Sequence, residues 1–211
     1  MHITISEYTK RIKSVNVLSN INLELESGKV YGFKGVNGSG KTMLMRAVCG
    51  LILPSYGKVV IDGKELGKDI SFPPSVGLLL ENPAFVNGYT GFKNLSMIAA
   101  LKGKIGDNDI KNALEKVGLD PEDVRTFKKY SLGMKQKLGI ACAIMENPEL
   151  IILDEPTNAL DEKGVDMVRN IVMEYKEKGA LIIISCHDKE QLEYLSDEII
   201  EMYEGKIVKT L

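Results

Sequence analysis

The sequence predicts an α/β fold: a mostly parallel sheet, an antiparallel β part at the amino-terminal end and an inserted helical lobe. Three observations predict it. Two continuous apolar runs, Leu150-Ile151-Ile152-Leu153 and Ala180-Leu181-Ile182-Ile183-Ile184, are separated by a helical pattern, the way parallel strands covered on both faces read. A strand, a glycine-rich loop and a helix follow one another over residues 29–48. From about residue 90 to 147 the periodicity is helical, with apolar residues recurring every three or four positions. The 211 residues read as a single domain, with its core over 1–81 and 148–211 and the lobe over about 82–147.

Taken in order, residues 1–34 are β-structure, and Asn20–Glu26 alternates apolar and polar as a half-buried strand does. Ser27-Gly28-Lys29 turns the chain into the buried strand Lys29–Phe33, and Thr42–Val48 follows the loop as a helix ended by Gly50–Pro54. Gly57–Lys64 is a strand running into a turn, and Pro73-Pro74-Ser75 precedes the strand Val76–Leu80. In the lobe, Thr90 caps Phe92–Leu101, Asp107–Val117 carries Ile110, Ala113, Leu114 and Val117 on one face, and Ser131 caps Leu132–Met145. The α/β pattern returns with Leu150–Asp154, a helix over Val165–Lys178 stopped by Gly179, and the strand Ala180–Ser185. Lys189–Leu195 is a short helix, and Glu198–Met202 with Lys206–Val208 closes as a hairpin.

Composition is that of an ordinary globular protein, 44% hydrophobic and 27% charged. A net charge of −2 gives no basic field for nucleic acid. No apolar run approaches the roughly 18 residues that span a bilayer. Met1-His2-Ile3-Thr4 lacks the basic start and apolar core of a signal peptide, so a cytoplasmic location is expected. Cys49, Cys142 and Cys186 are odd in number and far apart, which suggests buried free thiols rather than a disulfide framework or a zinc site.

Gly35-Val36-Asn37-Gly38-Ser39-Gly40-Lys41-Thr42 has the pattern G-x-x-x-x-G-K-[ST], a phosphate-binding loop set between a strand and a helix. Glycines let successive N–H groups converge on one anion, and the following helix aims its positive end at the same point. Lys41 reaches terminal phosphate oxygens, the Thr42 hydroxyl is placed to ligate phosphate-bound Mg²⁺, and the contact surface runs on to Met43. The stretch binds a nucleoside triphosphate, and the core is of the P-loop NTPase kind. The apolar strand ending in Asp154-Glu155 presents two acids at the strand end where the phosphate loop also lies. Asp154 holds Mg²⁺ directly or through water, and Glu155 polarises the attacking water, because phosphoryl transfer depends on alignment and charge stabilisation.

With these motifs placed, the chain resembles the ATP-binding subunit of an ABC transporter over nearly its whole length. Tyr130-Ser131-Leu132-Gly133-Met134-Lys135-Gln136 stands where that family has its signature. The resemblance implies that Ser131, Gly133 and Met134 cap ATP held by a second subunit, and a helix amino terminus there suits an anion. Asn158-Ala159-Leu160-Asp161 resembles the family's D-loop, which links the two sites. Ser185-Cys186-His187-Asp188 resembles its switch, with His187 on the γ-phosphate. Three departures stand out. Ile12 falls where the family stacks an aromatic ring on adenine, with Tyr8 as a substitute; Glu81 replaces the usual glutamine and is a further metal or water ligand; and Leu132 and Met134 replace Gly and Gln of the signature. Ser-Leu-Gly-Met-Lys-Gln together with Leu-Glu-Asn-Pro resembles the branch that exports peptides, antibiotics and drugs.

The resemblance therefore implies an ATPase using ATP and Mg²⁺, with ATP sandwiched between residues 35–42 of one copy and 131–135 of another. It implies separate transmembrane permease subunits docking near Glu81 and residues 82–100, with Phe85, Val86, Tyr89 and Phe92 as exposed candidates. The chain would then sit peripherally on the cytoplasmic face of the cell membrane. The alternatives are an ATP-sensing module and a soluble assembly-type ATPase of the same family.

Overall fold

Alternation near the amino terminus builds a long hairpin. β1 (His2–Ile12) and β2 (Val15–Glu26) run antiparallel from His2 opposite Glu26 to Ile12 opposite Val15. They bury Ile3, Ile5, Tyr8, Leu18, Ile21 and Leu25. Register shifts between Ile5 and Tyr8 and again up to Arg11 interrupt the pairing. A bulge inserts an extra residue and breaks the period of two, which is why only part of this hairpin reads as alternating. β4 (Tyr56–Ile61) pairs with β1 and with β5 (Lys64–Glu65), giving a four-stranded sheet in the order β2-β1-β4-β5.

The second sheet has the order β10-β9-β3-β8-β7-β6. Its strands are β3 (Val30–Lys34), β6 (Val76–Leu79), β7 (Leu150–Asp154), β8 (Leu181–Ser185), β9 (Glu198–Tyr203) and β10 (Lys206–Thr210). All neighbours are parallel except β10, which returns antiparallel on β9. Every residue of β7 and β8 is buried; full burial of each Leu or Ile contributes about 1.5–3 kcal/mol. Alternate residues serve two cores: Ile151, Leu153, Ile182 and Ile184 pack on one face, Leu150, Ile152, Leu181 and Ile183 on the other.

The computed structural model describes residues 1–81, 83–186 and 188–210. Its helices are α1 (Lys41–Val48), α2 (Gly91–Lys102), α3 (Asp107–Lys116), α4 (Leu132–Ile144), α5 (Glu162–Glu177) and α6 (Lys189–Leu195). The hydroxyls of Thr90 and Ser131 accept from the backbone N–H groups of Lys93 and Met134, each at 3.2 Å, as N-caps do. α5 opens earlier than the apolar pattern suggests. Asp161 caps it by accepting from Gly164 N at 2.9 Å, and the first turn, Glu162-Lys163-Gly164, carries no apolar residue to announce it. α2, α3 and α4 all fall between β6 and β7 in the chain. Their Leu95, Ile110, Leu114, Leu138 and Ile144 share one core with Ile151 and Leu153 of the sheet.

The site follows from strand order. β3 runs into the glycine-rich loop, β8 ends at Ser185, β7 at Asp154, and β6 leads within two residues to Glu81. These strands are parallel, so their carboxyl ends lie along one edge. Register puts Ser185 beside both Phe33 and Asp154.

Candidate active site

The loop after β3 is shaped by close approach. Gly35, Gly38 and Gly40 have φ of +155°, +81° and +108°. A Cβ on Gly35 would fall 2.5 Å from both Ser39 Oγ and Met202 O, so no larger residue fits. α1 opens at Lys41, and the first N–H groups of a helix have no intrahelical partner. Lys41 is buried, and its Nζ donates to Gly35 O at 2.7 Å and Val36 O at 3.3 Å. The Ser39 hydroxyl is buried with no partner among the described residues, a donor left available for a ligand oxygen. Residues 37–43 line a cavity of about 640 Å³ with Val15, Val17, Glu155 and Gly205. Gly205 ties this wall together: its N donates to Ser39 O at 2.9 Å, and its O accepts from Ser19 N at 2.8 Å. The cradle fits a phosphate chain.

Beside it Asp154 and Glu155 are tied together through Ser185, Asp154 by its carboxylate and Glu155 by its backbone. Thr42 Oγ1 donates to Asp154 Oδ2 at 2.5 Å. Ser185 Oγ donates to Asp154 Oδ1 at 2.5 Å and accepts from Glu155 N at 3.0 Å. Glu155 has φ +52°; its carboxylate accepts from Asn158 Nδ2 at 2.7 Å and its carbonyl from Gln136 Nε2 at 3.1 Å. A cavity of about 270 Å³ is lined by Thr42, Glu81, Gln136, Asp154, Glu155 and Asn158. Its donors are hard oxygens, which suit Mg²⁺. Among the described residues no cluster of three or more His, Cys, Asp or Glu side chains could hold a metal alone. Such a site fits an ion that takes one or two protein oxygens and the rest from phosphates and water. The Glu81 carboxylate lies 2.6 Å from Arg46 Nη2.

The structure brings Asn37 through Met43 together with Glu155 in one cavity and Thr42, Glu81, Asp154 and Glu155 in the other. Gly35 and Val36 line a neighbouring cavity of about 510 Å³, which shares Asn37. Ile12 is 44% exposed at the end of the β1–β2 hairpin and outside the lining, where Val15 opposite it, Asn16 and Val17 stand instead. Tyr8 is no substitute for a stacking ring. It is fully buried, its hydroxyl donates to Ile52 O at 3.0 Å, and burial pushes its pKa up to about 12. Ser131, Gly133 and Met134 line a cavity of about 450 Å³ with Ala159, Leu160 and Asp161. A Cβ on Gly133 would sit 2.9 Å from Ala159 O, so the glycine lets α4 approach that loop. Of the four apolar lobe residues, Val86 and Tyr89 are exposed, whereas Phe85 and Phe92 pack against the core, Phe85 edge-on to Phe127 at 5.3 Å. His187, and Asn82 of the Leu-Glu-Asn-Pro stretch, lie outside the described residues.

Sequence reasoning missed the contacts that Ser185, Asn158, Gln136, Arg46 and Gly205 make at the site. Ser185 read as the end of an apolar strand and the first residue of the switch motif, but a polar residue at a strand end level with Asp154 was a usable signal for its own contacts. Asn158 and Gln136 stood inside recognised motifs without a role. Nothing local pointed to Gly205, which reaches the loop only through the β9–β10 turn.

A phosphate cradle and a hydroxyl–carboxylate pair on neighbouring parallel strands define a P-loop nucleotide-binding protein. Residues 18–158 match the family described as ABC transporter, and the chain belongs to that family. It is 48% identical over 205 residues to the uncharacterized ABC transporter ATP-binding protein YybJ of Bacillus subtilis (strain 168), covering 97% of this chain and 94% of that one. It is 41% identical to the bacitracin transport ATP-binding protein BcrA of Enterococcus faecalis, covering 95% of this chain but only 66% of that longer protein. A solved dimeric ATP-binding cassette in a post-hydrolysis state, bound to ADP and Pi, superposes with a TM-score of 0.89 over 99% of this chain and 97% of that one. At 21% identity that likeness speaks for the fold.

Proposed function

We propose that this chain is the ATP-binding and ATP-hydrolysing subunit of an ABC exporter of peptides, antibiotics or drugs, and that ATP-driven closure of two copies supplies the work. The observation that carries the reading is the group Thr42–Asp154–Ser185, three side chains from neighbouring elements joined by hydrogen bonds beside the phosphate cradle, with the Glu155 backbone N–H tied to the same Ser185 hydroxyl. The likeness to a bacitracin transport protein supports the exporter reading.

In this reading residues 35–43 and Lys41 hold the phosphates, and the Thr42 and Asp154 oxygens hold Mg²⁺, which neutralises phosphate charge when bound. Glu155, held at its carboxylate by Asn158, orients the attacking water. Ser131, Gly133 and Met134 line a cavity separate from the phosphate loop's, which suits them to the nucleotide of a second copy. Closure excludes water and strengthens each contact with the phosphates. The chain acts as one ATPase domain with its core at 1–81 and 148–211 and its lobe at about 82–147. No described helix is long and apolar enough to cross a membrane. The partners are transmembrane permease subunits that dock at the lobe, where Val86 and Tyr89 are exposed, with the chain on the cytoplasmic face.

Phosphate release from Mg-ATP tests this reading, using the purified chain and the chain co-expressed with its permease in membranes. We expect release by the wild type and a loss of about a hundredfold or more in Lys41→Ala, the scale for removing a phosphate-stabilising donor. No release in either preparation would contradict it.

A further inference from the structure

The small cavity beside the phosphate cradle is lined by three carboxylates, Glu81, Asp154 and Glu155, with Thr42, Gln136 and Asn158. Among the described residues no cationic side chain belongs to that lining. Negative charge so gathered opposes a phosphate chain and competes for the cation that accompanies it. Asp154 is occupied by two hydroxyl donors and Glu155 by Asn158. Glu81 is held differently, by Arg46 from outside the cavity, with Nη2 2.6 Å from Oε1. Arg46 lies four residues after Thr42 in α1, so the two share a helix face. Its Nη1 is 4.0 Å from Met43 Sδ. The guanidinium is thus carried by the helix that follows the phosphate loop and reaches across to Glu81, just past the end of β6.

We propose that Arg46 is a positioning residue: it holds the Glu81 carboxylate at the rim and offsets its charge beside the place for Mg²⁺ and the phosphates. This rests on the nucleotide reading above. The Arg46 and Glu81 side chains are 35% and 60% exposed, and an exposed ion pair adds little to fold stability. Its effect is on the charge next to the phosphates. Removing Arg46 leaves the charge of that carboxylate uncompensated beside the phosphates. Removing both charges restores the balance.

The test is a double-mutant cycle on Mg-ATP binding, followed by calorimetric titration across a range of Mg²⁺ concentrations, with thermal melting alongside. Arg46→Met should weaken Mg-ATP binding about tenfold, the scale of one charge a few ångströms away, and raise the Mg²⁺ requirement with no loss of melting temperature. Arg46→Met with Glu81→Gln should return to within about twofold of wild type, which is the signature of coupled rather than independent residues. Glu81→Gln alone should bind at least as tightly as wild type, and Arg46→Lys should stay close to it. The same loss on adding Arg46→Met to the Glu81→Gln chain, or a loss that follows the melting temperature, overturns the proposal alone. A wild-type chain that does not bind Mg-ATP overturns the nucleotide reading and the proposal with it.

Discussion

Ser185 carries both acids of the site. Its hydroxyl is fully buried, donates to Asp154 and accepts from Glu155 N. Ser185→Ala leaves a buried carboxylate oxygen and a backbone donor short of a partner, so chemical denaturation should show a loss of about 1–3 kcal/mol. The Asn158 side chain donates to the Glu155 carboxylate at 2.7 Å. Asn158→Ala should lower kcat about tenfold while KM moves little, since orientation of a base matters in the transition state more than in binding. The three thiols are structural. Burial pushes Cys49 to about 12 and Cys142 and Cys186 to about 11, from an ordinary 9.0. A raised pKa favours the protonated form in the fold, so this contribution to stability is full below pH 9 and is lost as pH rises through 9 toward 11 and beyond. Denaturation midpoints measured across that range should fall. A thiol reagent at pH 8 should react slowly with the native chain and fast with the unfolded one, because the thiolate is the reacting form.

At the scale of elements, α4 is pressed onto β6. A Cβ on Gly77 would lie 1.7 Å from Ala143 O, so Gly77→Ala must part strand from helix. Overpacking of this kind costs about 1–3 kcal/mol or more, and a thermal melt should show it directly. Ser131→Ala removes the N-cap of α4 and should cost about 1 kcal/mol. These elements were legible where a pattern is local. The runs at 150–154 and 181–185 announced buried parallel strands, and Thr90 and Ser131 announced their helices. Legibility failed where geometry is set at a distance. Bulges hid half of the first hairpin, and the polar first turn of α5 hid its start. Buried Asn94, which accepts from Val86 N and donates to the carbonyls of Tyr89 and Thr90, holds the loop before α2 by bonds that no spacing foretells. In the site, the phosphate loop and Asp154-Glu155 stood out as contiguous motifs. The Ser185 bridge and the Arg46–Glu81 pair did not, because they exist only once strands far apart in sequence are neighbours.

At the scale of the whole molecule, the two faces of one mostly parallel sheet carry two cores, and the carboxyl edge of its parallel strands carries the candidate site. The phosphate loop and the Ser131–Met134 segment line different cavities. In the proposed reading each copy supplies halves of two sites, so nucleotide should draw copies together, and hydrolysis should let them part. The most direct measurement is the mass in solution of Glu155→Gln in Mg-ATP, by size exclusion with light scattering, beside the wild type. The account predicts a stable dimer of Glu155→Gln that holds ATP and releases no phosphate, while the wild type turns over and returns to monomer. A Glu155→Gln chain that binds ATP yet stays monomeric, or hydrolyses it at the wild-type rate, would contradict the account.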